Sequence, residues 1–190
     1  MADDYFKGGN WNKKDEYYTP SILVKPILPF IQPQSIVWCP FDTELSEFVI
    51  LLKEAGHTVI HSHIWRGQDF FNYEPSRYDY IISNPPFSKK KQILERLFEL
   101  DKPFAMILGL PIINYQEIGN FFYHKQLQGK HLQLLIVDKK VSFDGNTASF
   151  NNSYFCYKML PRDIIFSHLE HNNSNRFFEN SRMKAEIKGD

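Results

Sequence analysis

The chain predicts an α/β protein, a doubly wound and mostly parallel sheet with helices on both faces, and three observations carry that expectation. Continuous apolar runs such as Ser35-Ile36-Val37-Trp38-Cys39 have the composition of strands buried on both faces rather than the alternation of a one-sided sheet. Between them, Leu45, Phe48, Val49, Leu52 and Ala55 recur at helical spacing. Glycine and proline punctuate the junctions. Strand and helix in alternation bury their apolar faces against one another most simply in a Rossmann-like sheet. At 190 residues the chain supplies one substantial core.

Residues 1–16 are polar, contain Gly8-Gly9, and read as an N-terminal arm. Thr19-Pro20 reads as a helix start, with threonine as the N-cap and proline in the first turn, while Pro26 and Pro29 break the next stretch of chain into short pieces ending near Phe30-Ile31. The first strand, 35–39, is stopped by Pro40. The helix after it ends at Gly56, and Thr58-Val59-Ile60-His61 is the next strand. Only a few residues separate His61 from Asp69, too few for a helix and a strand, so the sheet edge is expected to be abbreviated. Tyr78 to Ile82 reads as a strand, Ser88 to Phe98 as an N-capped amphipathic helix, 103–108 as a strand, about 115–128 as a helix stopped by Gly129, 132–137 as a strand and 153–159 as the last. The main domain is thus 17–160. Residues 161–190, with a short Ile164-Ile165-Phe166 run, form a peripheral segment.

Positive and negative side chains balance, 22 against 22, so any attraction for nucleic acid must come from a local patch rather than a global field. Cys39 and Cys156 lie in apolar runs and read as buried free thiols, which fits a reducing compartment. No signal-peptide pattern opens the chain and no apolar run has the length of a membrane span, so a cytoplasmic protein without membrane contact is expected. His61-Ser62-His63 lacks a third ligand nearby in sequence, and no metal site is expected.

The densest information lies in Ser83-Asn84-Pro85-Pro86-Phe87, between a strand and a helix. A planar amino or amide nitrogen is a poor nucleophile because its lone pair is delocalised. A catalyst must accept hydrogen bonds from both N–H groups and draw the nitrogen toward tetrahedral geometry. The Asn84 side-chain oxygen and the Pro85 carbonyl are two such acceptors, Pro85 and Pro86 fix the backbone that carries them, and Phe87 offers a flat face for a base. The plainer alternative is a polar turn followed by a core phenylalanine. The N-terminus of the next helix carries Ser88, Lys89, Lys90 and Lys91, whose cations oppose the helix dipole unless an anion is near; Ser88, Lys89 and Lys90 are candidate substrate contacts, with a solvated face as the alternative.

With that loop in place the chain resembles the class I S-adenosylmethionine-dependent methyltransferases, in which an Asn/Asp-Pro-Pro-aromatic motif after the fourth strand marks amino-group methylation. The resemblance spans roughly Tyr17 to Leu160 and is closest to compact adenine-methyltransferase-like proteins of phages and mobile elements. It implies S-adenosylmethionine as cofactor, catalysis by Asn84, Pro85, Pro86 and Phe87, and transfer to an exocyclic amine. Adenine in DNA is expected ahead of RNA or a glutamine amide, and a binding protein on a degenerate fold is the non-catalytic alternative. Tyr18-Thr19-Pro20 resembles the segment lying over the cofactor's carboxylate end, and Cys39-Pro40-Phe41-Asp42 the turn beneath its methionine part. That turn has no glycine, and Cys39 stands where an acid is common, so Asp42 becomes the candidate for the ammonium group, with a helix N-cap as its other role. Asp69-Phe70 resembles the pair that holds the adenine ring, and His61 stands where an acid for the ribose is usual. There is no room for a target-recognition domain, so a homodimer or partner subunit is expected to read the target.

Overall fold

The computed structural model describes residues 19–143 and 149–169. Residues 1–18, with the expected arm and Tyr18, and residues 144–148 and 170–190 lie outside the described residues. One sheet of seven strands runs β2-β1-β3-β4-β8-β5-β9, where β1 is Ile36–Cys39, β2 Thr58–His61, β3 Tyr80–Ser83, β4 Phe104–Gly109, β5 Gln133–Val137, β8 Asn152–Tyr157 and β9 Ile164–Ser167. Strand β8 lies antiparallel between β4 and β5; every other pairing in the sheet is parallel. A two-stranded ribbon, β6 (Val141–Ser142) with β7 (Ser149–Phe150), occupies the β5–β8 connection.

The apolar runs are continuous because both faces are covered. In β4, Ala105 and Ile107 enter one core cluster while Phe104, Met106 and Leu108 enter the other. The first cluster packs beneath α1 (Ser21–Val24), the short 3-10 segment Lys25–Phe30 and α2 (Glu47–Glu54). The second packs beneath α3 (Lys90–Leu100), whose Ile93, Leu94, Leu97 and Phe98 form one apolar stripe, and α4 (Gln116–Leu127). Gly56 at φ 87° and Gly129 at φ 74° lie just past the ends of α2 and α4, in backbone that a side chain rarely adopts.

The edge beyond β2 is abbreviated as the short 61–69 interval requires: a 3-10 turn, Ile64–Arg66, replaces a further helix and strand. The Ile164 run is a strand, β9, paired in parallel with β5 at the opposite edge. Three expected caps differ. Helix α1 begins at Ser21 with Pro20 in the N-cap place, so Thr19 is buried one residue too early to cap it. Ser88 falls within the 3-10 turn Phe87–Lys89, and Lys89 occupies the N-cap place of α3 without a side-chain bond. Ser46, not Asp42, precedes α2. For α2 and α3 a short turn intervenes between strand and helix and shifts the capping position.

The chain leaves β1 to form β2 on one side and returns to β3 on the other. The carboxyl ends of β1 and β3 therefore flank the crevice where doubly wound sheets bind ligands. Among the described residues no helix is long and apolar enough to cross a membrane.

Candidate active site

Asn84 follows β3 at that crevice. It is half-buried, and its Oδ1 is buried with no hydrogen-bond partner among the described residues. Such an acceptor costs roughly 1–3 kcal/mol when nothing donates to it, so it is a feature in want of a ligand. Pro85 and Pro86 are buried, and Pro86 sits at φ −62°, the angle its ring imposes, so the loop is packed as well as stiff. Phe87 is half-buried at the start of the 3-10 turn, and Ser88 is exposed.

Asp42 joins this loop to the turn after β1. Its carboxylate accepts from the hydroxyls of Ser46 and, at 2.5 Å, of Ser83, the residue before Asn84. Burial pushes the carboxyl up to about 6, against the lowering effect of the two hydroxyls. A desolvated carboxylate with two fixed donors still has lone pairs to spare, and a cation beside it would restore its ordinary ionisation. The sequence suggested Asp42 but not its partners Ser46 and Ser83; the adjacency of Ser83 to Asn84 is the signal that could have found them.

The other candidates divide. Cys39 is buried in the first core cluster, and burial, then the Asp42 charge, pushes its thiol up, so its side chain serves the core. Pro40 is buried in the turn, and Phe41 packs on Phe70 at 5.0 Å. Phe70 is 2% exposed and has Trp38, Phe41, Phe71 and the Arg96 guanidinium around its ring, so it supports the site from below and presents no free face. Asp69 is half-buried and accepts from the Phe71 amide at 3.1 Å, which shapes the turn. His61 ends β2 beside Cys39; its Nδ1 is buried without a partner among the described residues, and burial holds its pKa down, leaving a neutral ring. Ser62 is spent on the fold, since its hydroxyl accepts from Trp38 Nε1 and its carbonyl from the Asp42 amide. Thr19 and half-buried Pro20 lead into α1, which packs against α2.

The lysines are less free than their run suggests. Lys89 Nζ lies over the Phe71 ring at 5.4 Å, Lys90 Nζ over Tyr115 at 5.4 Å, and Lys91 pairs with Glu117 at 2.6 Å.

No protein-family model matches the chain. Over 116 residues it is 23% identical to the type II methyltransferase M.EcoRI of Escherichia coli, a match that covers 54% of this chain and 35% of that one. Its structure is similar to one described as a modification subunit of a type I restriction enzyme from Vibrio vulnificus (TM-score 0.57, 13% identity, 86% of this chain and 49% of that one). It is also similar to the M protein of the type I restriction enzyme EcoKI (TM-score 0.54, 11% identity, 80% and 48%). The fold is the Rossmann-like fold of class I methyltransferases. The chain spans about half the length, or less, of each of these proteins.

Proposed function

We propose that the protein is an S-adenosylmethionine-dependent methyltransferase that acts on an exocyclic amino group, adenine in DNA. The observation that carries this reading is the unpartnered Asn84 Oδ1, set in a packed Pro-Pro loop at the switch point of the sheet. The relatives' names, which tie them to methylation and to restriction enzymes, support DNA over RNA or a protein amide.

The residues present fit the cofactor. Asp42 would hold its ammonium, His61 Nδ1 would take a hydrogen bond from a ribose hydroxyl, and Asp69 would face the adenine amine, with Thr19, Pro20, Pro40 and Phe41 around them. When bound, the cofactor supplies an electrophilic methyl group. Asn84 Oδ1 and the Pro85 carbonyl would accept the two N–H groups of the amine and so favour a tetrahedral nitrogen with its lone pair free for the methyl group, one N–H proton being lost to solvent afterwards, and Phe87 would stack the base. A transfer of this kind needs position more than a strong base. Ser88, Lys89 and Lys90 border the entrance from the α3 side, and a homodimer or partner subunit supplies the rest of target recognition.

Calorimetric titration with S-adenosylmethionine, followed by label transfer to duplex DNA, total RNA and protein, tests the reading. Saturable heat and label on DNA are expected. Asn84→Ala should keep cofactor binding and lose transfer by about a hundredfold or more, the scale seen when a single group stabilising a transition state is removed. No saturable heat would leave a degenerate binding protein, which the engaged Asp42 and the glycine-free turn would then explain; label on RNA alone would overturn the DNA assignment.

A further inference from the structure

Strand β8 begins at the end of the sheet onto which the crevice opens, because it runs antiparallel to β4 and its first residue, Asn152, pairs with Gly109, the last residue of β4, the strand next to β3. Asn152 is 3% exposed, and both Oδ1 and Nδ2 are buried without a hydrogen-bond partner among the described residues. The backbone beside it is fixed, since the Leu110 amide donates to the Asn151 carbonyl at 2.7 Å. The contrast with Tyr154, two residues on and on the same face of the strand, is informative. That buried hydroxyl has no chemistry to do and is paired, donating to the Leu23 carbonyl at 2.7 Å. A buried amide with neither group paired is rare in a folded protein and is more costly than an apolar side chain of the same shape.

We propose that Asn152 positions the acceptor base by donating from Nδ2 to the ring nitrogen next to its amino group, an inference that rests on the amino-transfer reading above. Asn84 and Pro85 already claim both N–H groups of the amine. What an amino-bearing base still offers on that edge is an unprotonated ring nitrogen, an acceptor. Adenine and cytosine have one there, whereas guanine, hypoxanthine and thymine carry an oxygen in place of that amine and beside it an N–H that meets the Nδ2 donor head-on; guanine's own amino group lies on another edge, between an N–H and an acceptor. Asn152 thus selects for the base type whose nitrogen the site can methylate, and it is a positioning residue, not part of the transfer itself.

The test uses the full-length protein and random-sequence duplex oligonucleotides with one assayed adenine set opposite an abasic site, so that its N1 makes no Watson–Crick pair, and with 1-deazaadenine or, as the control, 7-deazaadenine in its place. The wild-type protein should lose roughly tenfold in kcat/KM on the 1-deaza duplex, the scale of one hydrogen bond. Asn152→Leu should be lowered about tenfold on the adenine duplex and show no further loss on the 1-deaza one. Its S-adenosylmethionine affinity should be unchanged, and its ligand-free Tm equal to or above that of wild type. Asn152→Asp, which keeps the shape and removes the donor, should lose the 1-deaza difference in the same way should the leucine variant fail to fold. A 1-deaza penalty that persists in either variant, or a Tm lowered by several degrees in Asn152→Leu, would overturn the inference by assigning the amide a partner within the fold. Absence of transfer to any DNA by wild type would instead remove the amino-transfer reading, and this inference with it.

Discussion

Asp42 is the residue at which folding and binding oppose each other. Its carboxyl is raised from 3.8 to about 6 by burial, so the folded state prefers the protonated form. The resulting stability is fully present below the unfolded value near 4 and is lost as pH rises through about 6, a change on the order of 3 kcal/mol. Thermal melts between pH 4 and 8 should show stability falling across that window in wild type and a flatter profile in Asp42→Asn. A ligand ammonium beside the carboxylate reverses the preference, because it favours the ionised form. Calorimetry should therefore find S-adenosylmethionine affinity rising with pH through about 6, with proton release on binding, and Asp42→Asn should abolish both. Constant affinity over the window would remove Asp42 from the cofactor site.

At the scale of the element, the crevice depends on how α1 is held. This helix is only four residues long, Ser21–Val24, and has no side-chain cap, so its own backbone bonds cannot sustain it. Burial of Leu23 and Val24 and the bond from Tyr154 on β8 to the Leu23 carbonyl fix it instead, across 131 residues of sequence. Tyr154→Phe keeps the ring and leaves that carbonyl unpaired. Urea denaturation should report a loss of about 1–3 kcal/mol, with a weaker cofactor interaction if Thr19 and Pro20 contribute to the site. The proline-stiffened loop was readable at this scale from sequence alone, because Pro85 and Pro86 restrict the backbone whatever surrounds them. The caps were not, since Thr19, Asp42 and Ser88 are all competent capping residues; turns moved the starts of α2 and α3 past Asp42 and Ser88, and α1 starts one residue too late for Thr19.

For the whole molecule, charge neutrality bounds how nucleic acid can be held. With 22 positive and 22 negative side chains no global field is available, and of the lysines at the α3 terminus beside the candidate loop Lys91 is already paired with Glu117. Duplex binding should therefore weaken with salt at a shallow slope, about −2 in log K against log salt if Lys89 and Lys90 each neutralise one phosphate, and each Lys→Ala change should reduce it by about 1. Fluorescence anisotropy across a salt series reads this directly. A slope near −6 would show that a basic surface elsewhere, or on a second subunit, makes the contact.

The sequence by itself determined the strand and helix pattern, the glycine stops, the shortened edge and the Asn84–Phe87 loop, because periodicity, proline and glycine act within a few residues of themselves. Only the tertiary structure decided what became of the side chains. It turned Cys39 and Phe70 into core, freed His61 Nδ1, tied Asp42 to Ser83 across 41 positions, and brought Asn152 to the same end of the sheet as Asn84. The physical reason is that burial and pairing of a polar group depend on which strand lies beside it, and an antiparallel strand inserted late in the chain leaves no local mark of where its first residue will stand.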